Sequence, residues 1–187
     1  MILAQFTAQG FTGAKLPLFA NAVGNGVANY LLASAIYQGI SVGIGPGAGV
    51  GTGMVQGIVG PVTGANILSM FTAVGFTGAK TPQMAMAIGN AFGTFIMTGI
   101  VNSSSIGMAI GTGTGKIIGV AGPAMAASIL GMFTAVGFTG AKTSLLANAI
   151  GNGICNTILS MGIVMTTIVG VGYPPTPMTG SDVGKLL

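Results

Sequence analysis

The sequence predicts a mainly α chain with extended glycine-rich arms, built of three tandem helix–turn–helix–extended repeats in a pseudo-threefold arrangement. Three observations predict it. The hexapeptide "GFTGAK" occurs at residues 10–15, 75–80 and 137–142, spaced by roughly 60 residues. Its flanks recur with it: Ile2-Leu3, Ile67-Leu68 and Ile129-Leu130 stand upstream, and "ANAVGNGVANYLL", "AMAIGNAFGTFIM" and "ANAIGNGICNTIL" align downstream without a gap. A glycine-rich element follows, "GVGTGMVQGIVGP" from Gly49 and "GTGTGKIIGVAGP" from Gly111, and the closing "GSDVGKLL" matches its beginning. These matches organise the chain as a single domain of three internal repeats, about 1–59, 60–121 and 122–187.

Each repeat opens on an apolar stretch such as 123–138, with Pro123 at the start, where a helix tolerates it. The "TGAK" that follows breaks this helix. Thr81-Pro82 and Thr143-Ser144 then offer an N-cap hydroxyl to a second helix over roughly residues 16–35, 81–98 and 143–161. The third element is "ISVGIGPGAGVGTG", "SSSIGMAIGTGTGK" or "TTIVGVGYPPTPMTGSDVGK". Glycine alternating with other residues, together with Pro174, Pro175 and Pro177, favours extended chain or irregular strand there.

The second helix carries a polar pattern. Asn21, Asn25 and Asn29 are spaced by four, as are Asn148, Asn152 and Asn156, and the middle copy retains Asn90. That spacing lines one side of a helix. With Gly24, Gly26, Gly89, Gly93, Gly151 and Gly153 beside it, the pattern reads as a small-residue helix seam joined by amides; a polar pore lining is the alternative. Lys15, Lys80 and Lys142 close the three hexapeptides, where they finish a helix end or meet a neighbouring subunit.

Composition says what must cover this chain. Charged residues make up 3% of it, against about 25% in ordinary soluble domains, while hydrophobic residues reach 51% and glycine numbers 35. A surface so poor in charge is expected to be covered by other protein subunits or by lipid. Five lysines against Asp182 give a net charge of +4, but without arginine or a lysine cluster there is no phosphate-tracking groove, so no nucleic acid is expected as a partner.

The residue inventory also narrows the chemistry. Without histidine, and with one carboxylate side chain, neither a catalytic triad nor a paired-carboxylate or zinc arrangement can be assembled. "GTGTGK" at 111–116 has three residues rather than four between Gly111 and Gly115, and Ile117 stands where a phosphate loop needs Ser or Thr. No cofactor, metal or catalytic step is expected. Cys155 is single and reads as a small packed residue.

The repeated "MFTAVGFTGAK", "AIGNG" and "GTGTGK" stretches, spread over nearly the whole chain, resemble in type the charge-poor, Gly/Ala-rich structural proteins of contractile-tailed bacteriophage tails and baseplates. The resemblance implies a virion subunit for scaffolding or symmetry adaptation, not an enzyme. Its partners would be other subunits of a large assembly of threefold or sixfold symmetry, in a homo- or hetero-oligomer. Asn21, Asn25, Asn29, Asn90, Asn148, Asn152, Asn156, Lys15, Lys80 and Lys142 are the packing and interface candidates. The alternative is a small integral membrane protein of three helical hairpins, a channel or a membrane-complex subunit.

Overall fold

The computed structural model describes residues 1–44, 47–107, 110–171 and 177–186. Six helices, α1 (Ile2–Ala8), α2 (Leu16–Ser34), α3 (Gly60–Ala73), α4 (Thr81–Ile96), α5 (Gly122–Ala135) and α6 (Thr143–Met161), alternate in pairs with pairs of strands. The strands are β1 (Ile36–Ile44), β2 (Gly47–Gln56), β3 (Ile100–Gly107), β4 (Ile110–Ile118), β5 (Ile163–Val171) and β6 (Pro177–Leu186). The expectation of a mainly α chain with three helix–turn–helix units and free extended arms is therefore corrected. The arms are antiparallel strands, and all six close into one barrel in chain order.

The physical reason lies in what alternates with glycine. Along β1 and β2 the register sets Tyr37 opposite Val55, Gly39 opposite Gly53 and Ile40 opposite Thr52. Residues of one parity, Gly51, Val55, Val101, Ser103, Gly115, Ile117 and Val164, are buried, and those of the other parity, including Ile40, Val50, Thr114 and Met165, are exposed. This period of two is a strand signal in which larger side chains fill the inner layer next to the helices and glycine or serine, at Gly39, Gly53, Ser103 and Gly115, holds the next. Eight strands make a barrel just wide enough for side chains to fill, so six leave most inner positions room for little beyond hydrogen or a hydroxymethyl group.

Barrel closure pairs β1 with β6, from Ile36 opposite Lys185 to Ile44 opposite Pro177. Both potential edge strands are thereby satisfied within the chain. At the end nearest the helices, Tyr37, Val55, Val101, Ile117 and Val164 form a buried layer. Tyr37 reaches furthest: its hydroxyl lies 3.4 Å from Ser103 Oγ. The ring runs across Gly39 and Gly53, where an added Cβ would stand 2.7 Å from Tyr37 Cζ and 2.5 Å from Tyr37 Cε2, respectively.

The helices form a second ring, each packed on its neighbours in sequence, with α6 closing on α1. Their crossings bring main chain close to main chain. An added Cβ at Gly26 would stand 2.7 Å from Ile67 Cα, one at Gly93 2.7 Å from Gly60 Cα, and one at Gly153 2.7 Å from Ile2 Cα. One continuous cluster of buried apolar residues, including Phe6, Val23, Phe71, Ile88, Phe92, Phe133 and Ile150, joins the helical ring to the floor of the barrel. Tyr30 links the two rings, since its hydroxyl accepts from the Val59 N–H at 3.0 Å and donates to the Gly57 carbonyl at 3.3 Å.

The first glycine of "GFTGAK", rather than "TGAK", ends the first helix of each pair. Gly10, Gly75 and Gly137 adopt φ of 76°, 75° and 76°. The following phenylalanine N–H reaches back to a helical carbonyl, Phe11 to Phe6 at 3.0 Å, Phe76 to Phe71 at 2.9 Å and Phe138 to Phe133 at 2.8 Å. This is the Schellman arrangement, with the glycine at C′ and an apolar contact from C″ to C3. The rings of Phe6 and Phe11 meet at 5.6 Å and those of Phe133 and Phe138 at 5.4 Å. The second helices begin without the expected hydroxyl cap: Lys80 and Lys142 occupy the N-cap, and Thr81 and Thr143 are the first helical residues.

Two glycine substitutions should move stability in opposite directions. Gly53→Ala forces a methyl into Tyr37 and the Gln38 carbonyl, and should destabilise by about 2 kcal/mol or more. Gly131 lies inside α5 with nothing within 4 Å of an added Cβ, so Gly131→Ala should stabilise by about 0.5–1 kcal/mol. Urea denaturation of the two variants beside the parent measures both.

Candidate functional site

The three hexapeptide lysines come together at one end of the helical ring because each is the N-cap of a helix whose other end leads into the barrel. Lys80 donates to the Gly137 carbonyl at 2.9 Å and lies 5.4 Å from the centre of the Phe138 ring. Lys142 lies 5.8 Å from the Phe11 ring centre. Each of these two lysines thus spans from its own hexapeptide to the glycine or phenylalanine of the next one round the ring, with α1 following α6. The ammonium meets a ring face, and in Lys80 also a carbonyl just beyond the C-terminus of α5, where the helix dipole is negative.

Lys15 faces a cavity of about 270 Å³ at this end, lined by Phe6, Phe11, Phe19, Phe76, Met84 and Leu146. Phe19 is stacked on Phe71 at 5.1 Å and packed edgewise on Phe6 at 5.5 Å. The result is an apolar depression with Lys15 at its edge and Lys142 over Phe11, one of its lining rings. Sequence reading had these lysines in hand but not their partners, because the Phe they meet belongs to another repeat.

The asparagines do not share one environment. Asn90 and Asn152 are half-buried beneath the Gly-Pro turns that open α3 and α5: an added Cβ at Gly60 would stand 2.7 Å from Asn90 Cα, and one at Gly122 3.0 Å from Asn152 Cα. Asn148 is half-buried, whereas Asn21, Asn25, Asn29 and Asn156 are exposed. Asn90 and Asn152 therefore serve helix crossings inside the chain, and the exposed members remain candidates for contact with something outside it.

The barrel exterior is the third surface. Ile40 and Val50 are 68% and 69% exposed, and Ile36, Val42, Met54, Ile100, Ile163, Met165 and Val183 are exposed beside them. Gln38, Thr52, Asn102, Ser104, Thr112 and Thr114 separate these residues, and Lys116 is the only charged side chain of the exterior among the described residues. The side chains of Asp182 and Lys185 lie outside the described residues. Sequence reading missed the Tyr37–Ser103 pair that plugs the lumen; the signal available was a tyrosine opening a glycine-spaced strand.

Among the described residues no group of three or more His, Cys, Asp or Glu side chains could hold a metal ion. Cys155 is buried with its Sγ 3.7 Å from Met125 Sδ, and burial pushes its thiol up from 9.0 to about 11. No helix among the described residues is long and apolar enough to cross a membrane, so the helical-hairpin membrane alternative loses its spans. Neither a family model, nor a curated protein, nor a solved structure matches the chain.

Two outcomes follow. Lys80→Ala should destabilise by about 0.5–1 kcal/mol and Lys116→Ala by less, since only Lys80 carries a ring contact and a carbonyl partner; thermal denaturation of both variants tests the ordering. The Cys155 effect runs with alkali. Above pH 9 the unfolded thiol loses its proton while the buried one keeps it until about 11, so the unfolded state binds fewer protons and stability falls through that window. Urea titrations at pH 8 and pH 10 should show a steeper loss for the parent than for Cys155→Ala.

Proposed function

We propose that this protein is a non-enzymatic structural subunit of a large assembly, of the kind found in the tail or baseplate of a phage virion, acting in scaffolding or symmetry adaptation. One observation carries the reading: the barrel exposes isoleucine, valine and methionine over most of its length while offering one charge among the described residues. An exterior on which exposed isoleucine, valine and methionine are interspersed with uncharged polar residues, with one charge among the described residues, lacks the repelling charge of a free surface and supports its being a contact site. The closed barrel removes the route of exchanging strands with neighbours, so contact would be made by side chains. A neighbour of threefold or sixfold symmetry would find the same order of two helices and two strands presented three times.

The lysine-edged depression at the opposite end gives such a subunit a second, chemically different face. An apolar barrel at one end and ammonium groups at the other would fix its direction in a stack.

The test is incorporation. Particles purified from cells expressing the tagged parent should contain the chain, whereas an Ile40→Lys, Val50→Lys double variant should fold equally well and enter particles at least about tenfold less. A parent that remains monodisperse and absent from every particle, or a double variant that incorporates as well as the parent, would contradict the reading.

A further inference from the structure

The three hexapeptide lysines are not used alike. Each is followed four residues later by an apolar side chain, Phe19 after Lys15, Met84 after Lys80 and Leu146 after Lys142. All three of these line the depression of about 270 Å³. It therefore lies where the first turns of α2, α4 and α6 converge, one turn from each repeat.

At two of the three junctions between repeats a lysine spans the gap. Lys80 lies over Phe138 and donates to the Gly137 carbonyl, and Lys142 lies over Phe11. The repeat assigns Phe76 to Lys15 in the same way. Among the described residues Lys15 makes neither contact, and the Phe76 ring packs instead on Phe19 at 5.5 Å and on Phe71 at 6.1 Å. The depression is the space this pair leaves unclosed, and both residues border it.

Nothing at this end offsets the Lys15 ammonium. The chain's one carboxylate side chain, Asp182, belongs to β6 of the barrel. Helices α2, α4 and α6 begin here with no acidic residue in their first turns and no side-chain cap, so three positive helix ends add to the lysines. An apolar hollow thus sits in a field of one sign.

We infer that the depression binds a small amphiphilic monoanion, an aliphatic carboxylate of medium chain length, with its head on the Lys15 ammonium and its chain among Phe11, Phe19, Phe76, Met84 and Leu146. Charge selects the head: a carboxylate beside Lys15 makes a charge-assisted hydrogen bond, whereas an ammonium head meets only like charge. The lining selects the body, because phenylalanine, methionine and leucine gain by losing water and offer a polar chain no partner. Volume limits the length, since about 270 Å³ falls just below the range of roughly 300–1,000 Å³ usual for small-ligand pockets. The site belongs to the isolated chain and does not depend on the assembly reading.

The test is titration of the isotope-labelled chain with octanoate at about pH 7, where a carboxylate is ionised, followed by NMR. Saturable shifts are expected at Lys15, Met84 and Leu146, with Ile40 and Val50 of the barrel exterior unmoved. Lys15→Ala should weaken binding at least about fivefold, and Lys15→Arg should hold it within about twofold of the parent. Lys80→Ala removes the same charge from a lysine already engaged, and should stay within about twofold. The neutral 1-octanol should bind at least about fivefold more weakly than octanoate. Lys15 is exposed and its side chain caps nothing, so its variants should keep the fold, which the unliganded spectra check. Shifts of equal size over the barrel exterior, undiminished affinity in Lys15→Ala, or equal affinity for octanol would overturn the inference. So would binding to vesicles of an anionic phospholipid without binding of octanoate, which would make a lipid surface the occupant.

Discussion

Main chain lying directly on main chain is the constraint from which the rest of this structure follows. It occurs where Gly26 meets Ile67, where Gly89 and Gly93 meet the start of α3, where Gly153 meets Ile2, and between the paired strands β1 and β2 where Gly53 stands opposite Gly39 beneath Tyr37. Glycine at such places is conformationally expensive, roughly 0.5–1 kcal/mol each in a regular element. Closure offsets it. Helices that approach closely gain dispersion contacts along their length, and strands in a ring leave no edge unpaired. Both rings close between the ends of the chain, α6 on α1 and β6 on β1, so the helical and strand layers depend on the same closure.

Much of this was legible. Repeat matching located the second helices to within two residues of their observed ends, because apolar positions and glycines recur at helical spacing over "ANAVGNGVANYLL" and its copies. The hexapeptide was read as the break between helices, although the break belongs to Gly10, Gly75 and Gly137 and not to the second glycine. The glycine-rich segments were read as extended chain or irregular strand, and their pairing into a closed barrel was missed for a physical reason. Propensity penalises glycine in a strand because it contributes no side chain to packing, whereas inside a narrow barrel the absence of a side chain is the requirement. Glycine at alternate positions along residues 47–53 of β2 and 111–115 of β4 meets that requirement, and serine serves in its place in β3; unpaired arms would need no such alternation.

The candidate site divides along the same line. Lys15, Lys80 and Lys142 stand out because they are identical in context, yet their aromatic partners lie a repeat away and only closure brings them near. The asparagines share a spacing but not an environment: Asn90 and Asn152 are used at internal crossings, and Asn25, equivalent in sequence, is exposed because α1 is half the length of α3 and α5. A repeat tells which residues correspond; which copy is covered depends on what stands next to it. The chain thus presents two chemically distinct surfaces, a barrel exterior rich in exposed isoleucine, valine and methionine and a lysine-edged depression at the far end of the helices.

The most direct measurement of the central claim is a set of cross-strand proton contacts by solution NMR in the isolated chain. The account predicts antiparallel contacts between Gly39 and Asp182, Gly39 and Gly53, and Val101 and Ile117, together with slow amide exchange at Gly53 and Val101. Random-coil shifts and fast exchange over residues 36–44 and 177–186 would contradict it, because glycine-rich segments without partners would then be arms after all.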